Sequence, residues 1–263
     1  MKTKKAAADT RPLTLALPRG RILDEALPLF ERAGFDLGAA EKARAGRRLI
    51  IAIPEHGLRV LIVRDTDVPA YVEHGAADKA RAGRRLIIDV PEHGMRVLIV
   101  RDTDVPAYVE HGAADLGIAG RDVLEEQDRD LYEPLDLGIG RCRMVVAEPE
   151  DKPVDENAQM HLRYASKFVE ITRRFLQSRG TVAEIIKLYG SIEIAPLVGL
   201  ADRIVDLVSS GETLRQHKLR EVETIMNVSA RLCVGRAAAK LHAERIDELV
   251  GRLREAVRVS SAA

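Results

Sequence analysis

A chain of 263 residues that is 46% hydrophobic and 31% charged has enough apolar content to bury one large core or two of ordinary size, which excludes an intrinsically disordered chain. Lys+Arg and Asp+Glu each total 41, for a formal net charge of zero, so no basic excess marks nucleic acid as a partner and any anion site must be local. Cys142 and Cys233 stand far apart with no CxxC or Cys/His cluster, and the basic opening "MKTKKAAADTRP" leads into no long apolar segment; this excludes a disulfide scaffold, a structural zinc site and a membrane span, and predicts a soluble cytoplasmic protein.

In chain order, "LTLAL" reads as a strand, "PRGR" as a turn, and "RILDEALPLFERAG" as a helix with Ile22, Leu23, Ala26, Leu27 and Phe30 on one face and Gly34 as its stop. Next comes a direct repeat. Lys42 to Asp78 and Lys79 to Asp115 are identical except at Ala52/Asp89, Ile53/Val90 and Leu58/Met95, so each unit is 37 residues. Two units are too few for a solenoid, which needs about three or more, and the pattern reads as a tandem duplication. One unit supplies the strand "RRLII", a turn at "PEHG", the strand "RVLIVRDTD" and the helix "VPAYVEHG". Since one lobe has room for one set, the second copy is expected in place, running unbroken into "LGIAGRDVL", with the first as an insertion after the first helix; the residues leave open a hybrid that keeps the first copy's "RRLII" strand beside that helix, which Ala52 against Asp89 does not decide.

Further strands are read at "LGIAG", "RMVVA", "EIIKLYG" and "DRIVDLV", and a helix at "FVEITRRFLQSRG" ending at Gly180. The segment "GIGRCRMVVAEPEDKPVDENAQ" breaks the rhythm with a polar, Pro-containing loop before a strand near Leu162, which predicts a change of lobe. The closing "NVSARLCVGRAAAKLHAERIDELVGRLREAV" reads as a strand and one long amphipathic helix. Strands alternating with helices predict an α/β fold with mostly parallel sheets.

The segment richest in chemistry is "ADRIVDLVSSGETLRQ". Asp206 interrupts an apolar strand, where an ionised carboxylate is costly unless it is paired or faces a site. Ser209, Ser210, Gly211, Glu212 and Thr213 follow, and such residues wrap N–H and O–H groups around a phosphate, leaving the carboxylate to meet ribose hydroxyls. Ser209-x-x-Glu212 is also a capping box that opens a helix without any ligand. The residues alone leave both readings open. Arg19 and Arg21, in "LALPRGRI", stand at the carboxyl end of a strand, where open α/β sheets bind ligands and where an arginine fork suits a phosphate or a solvated turn. Lys167, in "RYASKFVE", is a weaker instance. The seven histidines form no HxxxH or HExxH pattern, and no metal ligands or enzyme-borne nucleophile emerge.

Taken together, "LALPRGRILDEALPLFERAG", "RVLIVRDTDVPAYVEHGAADLGIAGRDVL", "LYEPLDLGIGRCRMVVAEP", "IIKLYGSIEIAPLVGLADRIVDLVSSGETLR" and "VSARLCVG" resemble the catalytic subunit of the ATP phosphoribosyltransferases, which open histidine biosynthesis. The family signature is met at Glu193, Gly199, Ala201, Ile204, Asp206, Leu207, Ser210, Gly211, Thr213 and Leu214. The resemblance implies a two-lobed fold of the type II periplasmic-binding-protein kind, with a cleft between the lobes. Lobe I would comprise 1–137 plus 236–263, with the duplication, and lobe II 138–235, with the loop for phosphoribosyl pyrophosphate (PRPP). It implies a Mg²⁺-dependent attack of N1 of ATP on C1 of PRPP, catalysed by positioning and electrostatics.

By the same resemblance Ser210, Gly211 and Thr213 hold the 5′-phosphate, and Asp206 and Glu193 face the ribose; Ser209 and Glu212 belong to the same PRPP-binding loop. Arg21 reaches the phosphates across the cleft. The family's second arginine, near the pyrophosphate, occurs twice, as Arg47 and Arg84. One 37-residue unit subtracted from 263 leaves 226, the size of the family's short form. That form works with a regulatory subunit resembling histidyl-tRNA synthetase, so this partner and a hetero-octamer are expected. Two rival readings are a cytoplasmic two-lobed small-molecule sensor module and a duplicated, inactive variant of the enzyme.

Overall fold

The computed structural model of the chain describes residues 12–37, 50–53, 58–61, 87–90, 95–155 and 161–262. They fall into two units, one drawn from Met1–Ala119, Asp130–Leu137 and Arg231–Ala263, the other from Gly120–Arg129 and Gly138–Ala230.

The first unit begins with β1 (Leu13–Pro18), buried along most of its length, and α1 (Arg21–Arg32), whose Leu23, Ala26, Leu27, Leu29 and Phe30 form the buried face. The repeat then supplies two strand pairs. In the first copy β2 (Ile50–Ile53) and β3 (Leu58–Leu61) pair antiparallel as a sheet of their own. In the second copy β4 (Ile87–Val90) pairs antiparallel with β5 (Met95–Val100), and β5 runs parallel to β1 over six residue pairs, from Leu13↔Met95 to Pro18↔Val100. The short helix α2 (Val105–Glu110) leads to β6 (Leu116–Gly120), which is parallel to β1. A Cβ at Gly117 would lie 2.6 Å from Val105 Cγ1 and 3.0 Å from Val109 Cγ2, so only glycine lets α2 pack this closely on β6.

Asp115, the last residue of the second copy, fixes that arrangement. Its N–H donates to Thr14 O at 2.8 Å, its Oδ2 accepts from Thr14 N–H at 2.7 Å, its carbonyl accepts from Gly235 N–H at 3.1 Å, and its Oδ1 lies 3.8 Å from His242 Nε2. After α3 (Arg121–Gln127) come β7 (Leu131–Asp136) and, at the far end of the chain, β13 (Ala230–Gly235), α6 (Arg236–Leu241) and α7 (Ala243–Ala262). The six-stranded order is β4-β5-β1-β6-β13-β7, with β13 and β7 antiparallel.

The second unit holds β8 (Cys142–Pro149), β9 (Leu162–Ser166), α4 (Val169–Ser178), β10 (Ala183–Lys187), β11 (Arg203–Val208), α5 (Glu212–Gln216) and β12 (Leu219–Val228). Its sheet order is β10-β9-β11-β8-β12; the first three strands are mutually parallel, and β8 is antiparallel to both β11 and β12. Alternate residues divide its core into two faces. Val145, Ala147, Ile204, Val208, Leu214 and Leu219 pack on one, and Met144, Val146, Tyr164, Ile171, Leu176 and Val205 on the other, beneath α4.

Several expectations are corrected. The sheets are mixed rather than mostly parallel, because β4, β7, β8 and β12 pair antiparallel with their neighbours; neither β7 nor β12 was evident in the sequence. The long terminal helix is two, broken at the buried His242. Gly120–Arg129 joins the second unit because Glu126 accepts hydrogen bonds from Glu170 N–H and Ile171 N–H at the start of α4, and Arg174 Nη2 donates to Glu125 O at 2.6 Å. Arg231–Gly235 belongs to the first unit because it is a strand of the six-stranded sheet. Among the described residues no helix is long and apolar enough to cross a membrane.

Candidate functional site

Ile204, Asp206 and Val208 share one face of β11, since strand side chains alternate. Ile204 and Val208 are buried there with Val145, Ala195 and Leu214, so Asp206, opposite Val145 of β8, brings a half-buried carboxylate into an apolar setting. Burial pushes its pKa above the ordinary 3.8; the hydrogen bond from Leu207 N–H, 2.8 Å from Oδ1, and the charge of Lys167 oppose the rise, and the charge of Glu193 adds to it. That coupling puts Lys167, directly after β9, and Glu193, in the 3-10 turn Ile192–Ile194, in the electrostatic neighbourhood of Asp206. Lys167 is exposed, with Nζ 4.6 Å from the centroid of the Phe168 ring.

Beyond Val208 the chain turns through Ser209, Ser210 and Gly211 into α5. Gly211 has φ 77° and ψ 4°, the left-handed region that favours glycine, while a Cβ there would meet nothing closer than 3.6 Å. Conformation, not crowding, therefore calls for glycine. Ser210 Oγ accepts from Glu212 N–H at 3.4 Å. The capping-box alternative is not what forms: the N-cap is Gly211, and the Glu212 carboxylate accepts from Arg215 Nη2 at 2.7 Å and Gln216 Nε2 at 3.1 Å, which hold its pKa below the usual carboxylate range. Glu212 thus faces along its own helix. The Thr213 carbonyl meets His217 Nδ1 at 2.8 Å, and the hydroxyl residues Ser209, Ser210 and Thr213 all lie exposed. Exposed hydroxyls beside a left-handed glycine and a half-buried carboxylate suit a phosphorylated polyol, the hydroxyl side chains taking phosphate and the carboxylate taking ring hydroxyls.

One further pair lies under this loop. Arg143 Nη1 donates to Ser209 O at 3.2 Å, and Arg143 also binds both carboxylate oxygens of Glu221. Sequence reasoning missed both residues. Arg143 was visible only as one of two arginines in "RCRMVV", and Glu221 lies in β12, whose alternation is broken by register shifts at Glu221/Glu223 and Thr224/Met226.

The remaining candidates are elsewhere. Arg19 and Arg21 belong to the first unit, Arg19 with its N–H on Val100 O at 3.2 Å and Arg21 opening α1 with Nε 3.7 Å from Glu25 Oε1. Arg47 and Arg84 lie outside the described residues. Burial pushes the Cys233 thiol up to about 12, which leaves it protonated and inert. Among the described residues no group of three or more His, Cys, Asp and Glu side chains comes together to hold a metal ion.

The family model for ATP phosphoribosyltransferase (HisG) matches residues 101–255. The chain is 46% identical over 243 residues to an ATP phosphoribosyltransferase of Acidithiobacillus ferrooxidans, covering 92% of this chain and 95% of that protein. It is 43% identical over 247 residues to ATP phosphoribosyltransferase 2 of Geobacter sulfurreducens, covering 93% and 98%. Among solved structures it is similar to the ATP phosphoribosyl transferase (HisG:HisZ) complex from Thermotoga maritima, with TM-score 0.67, 26% identity and coverage of 94% of this chain and 98% of that one.

Proposed function

The chain belongs to the ATP phosphoribosyltransferase family, and from that membership we propose that it joins ATP to PRPP, giving phosphoribosyl-ATP and pyrophosphate in the first step of histidine biosynthesis. The observation that carries this reading is the β11–turn–α5 segment, where Asp206 near the end of the strand is followed by Ser209, Ser210 and Gly211 in the turn and Thr213 in the first turn of the helix. The adenine N1 lone pair forms a bond to C1 of the ribose as the C1–O bond breaks and its electrons leave on pyrophosphate. Substrate supplies both nucleophile and leaving group, so the protein has to orient the two and stabilise charge on the departing phosphates.

Ser210, Gly211 and Thr213, with Ser209, bind the 5′-phosphate of PRPP. Asp206 and Glu193 accept hydrogen bonds from its ribose hydroxyls. Glu212 contributes its N–H rather than its carboxylate, which Arg215 and Gln216 occupy. Arg21, and Arg84 rather than Arg47, are assigned to the pyrophosphate, Arg84 because the strands that follow it in the second copy belong to the same sheet as β1, with β5 beside β1 and β4 at the edge. Arg19 and Lys167 are supplementary phosphate contacts.

Mg²⁺ favours oxygen donors, keeps several waters, and binds through one or two carboxylates together with substrate phosphates. Asp206 and Glu193 fit that donor set, and the ion, arriving with the substrates, would neutralise part of the phosphate charge. A cytoplasmic location and a regulatory partner resembling histidyl-tRNA synthetase, in a hetero-octamer, complete the proposal; the Thermotoga maritima relative is a complex of HisG with HisZ. The test follows ATP absorbance with and without PRPP. A change that requires both PRPP and Mg²⁺ supports the reading, and failure of the full chain to bind either substrate overturns it.

A further inference from the structure

We propose that Arg143 and Glu221 are a positioning pair that holds the Ser209–Gly211 turn in its phosphate-binding shape and so sets the affinity for PRPP without touching it. This rests on the assignment of that turn to PRPP. Arg143 stands on β8 directly opposite Val208, the last residue of β11 before the turn. Its guanidinium reaches three acceptors. Nη1 donates to Ser209 O at 3.2 Å, Nε donates to Glu221 Oε2 at 3.0 Å, and Nη2 donates to Glu221 Oε1. Only a planar fork satisfies a carboxylate and a backbone carbonyl together in this way.

Glu221 lies beneath the turn itself, its Oε1 3.8 Å from where a Cβ of Gly211 would stand. A bulge aims it there. The register of β12 against β8 shifts between Glu221 and Glu223, so two residues that regular alternation would put on the same face point to opposite ones. Glu223 goes to Arg179, at the end of α4, and Glu221 to Arg143 and the turn.

Stability does not account for the pair. Its side chains are 34% and 33% exposed, and ion pairs that open to water contribute about 0–1 kcal/mol. Its effect falls on the turn instead. An uncompensated carboxylate under Gly211 would repel an incoming phosphate, and Arg143 cancels that charge while fixing the Ser209 carbonyl away from the anion.

Steady-state kinetics of the full chain test this with Arg143→Met, Arg143→Lys and Glu221→Leu, with Asp206→Asn as the check on the loop and the surface residue Arg173 replaced by Met as control. The expected result is a KM for PRPP raised about tenfold or more in Arg143→Met, the scale of one charge-assisted hydrogen bond, and a smaller rise in Glu221→Leu. Turnover, KM for ATP and Tm stay near those of the Arg173→Met control. Arg143→Lys restores the charge but not the fork, so its PRPP affinity stays impaired; it also serves as the reporter if Arg143→Met does not fold. Wild-type PRPP affinity in either Arg143 variant while Asp206→Asn is damaged overturns the positioning role alone, as does a loss spread equally over turnover, both KM values and Tm. If Asp206→Asn binds PRPP normally, the loop assignment fails and the pair has no phosphate site to position.

Discussion

The Asp206 carboxylate shares its face of β11 with the buried Ile204 and Val208, and burial raises its pKa above 3.8 although Leu207 N–H and Lys167 favour the ionised form. Above pH 3.8 the unfolded chain therefore releases this proton more readily than the folded one. Stability falls as pH rises from the unfolded pKa through the folded one, and at neutral pH the charge is a cost to the fold. Asp206→Asn removes the cost and keeps the shape. It should raise Tm while weakening PRPP binding by about tenfold to a hundredfold, the size of a hydrogen bond to a charged group; calorimetry with and without PRPP reads both effects. Thr213→Val, which exchanges an exposed hydroxyl for a methyl group, should leave Tm unchanged and weaken PRPP by about five- to tenfold. Asp206 was legible in the sequence because an acid within an apolar run needs a reason. Arg143 and Glu221 were not, because they lie 78 residues apart and a bulge decides which face Glu221 takes.

Glu148 on β8 joins three strands through its carboxylate, accepting from the buried Arg203 on β11 at 2.8 Å and from Arg220 on β12 at 2.6 Å, while Arg203 Nη1 also donates to Tyr164 OH on β9 at 3.1 Å. Burial alone would push the Glu148 carboxyl up, but the hydrogen bonds from Arg220 and Arg203 and the charge of Arg203 outweigh it and hold the pKa below 4.5. The stability this gives is present above pH 4.5 and is lost as pH falls through the folded value. Glu148→Ala removes the carboxylate that accepts from both Arg203 and Arg220 and should destabilise the fold by about 3–5 kcal/mol in urea unfolding, the scale of breaking a buried ion pair; Glu148→Gln should flatten the acid limb of the stability curve. Elements such as β1, β8 and β11 were legible because apolar residues predominate in them. The edge strand β7, "LYEPLD", is mostly exposed and contains Pro134, and β12 changes face at its bulges, so neither carries a period-2 signal. No Gly or Pro marks the end of α6. His242, buried beside Asp115, marks it in three dimensions only.

One copy of the duplicated unit supplies strands to the six-stranded sheet, β4 and β5, while β2 and β3 of the other pair with each other. Deleting Lys42 to Asp78 should therefore leave activity equal or higher, and Arg84→Ala should cut turnover far more than Arg47→Ala; the reverse order of damage would assign the working arginine to the first copy. The alternation of strands and helices made the α/β class legible at this scale, but near-identical segments hold almost no information about which is used. Asp115 supplies that information by position, since it directly precedes β6 and bonds Thr14 and Gly235. For a chain still folding, this makes the place beside β1 contested. "LRVLIV" from Leu58 and "MRVLIV" from Met95 differ at one residue, a swap of similar volume that costs less than about 1.5 kcal/mol. Early pairing can thus recruit either segment, and a chain that takes the wrong one must release it before Asp115 can reach Thr14. Refolding after dilution from urea should show a fast and a slow phase, and removing Lys42 to Asp78 should abolish the slow one.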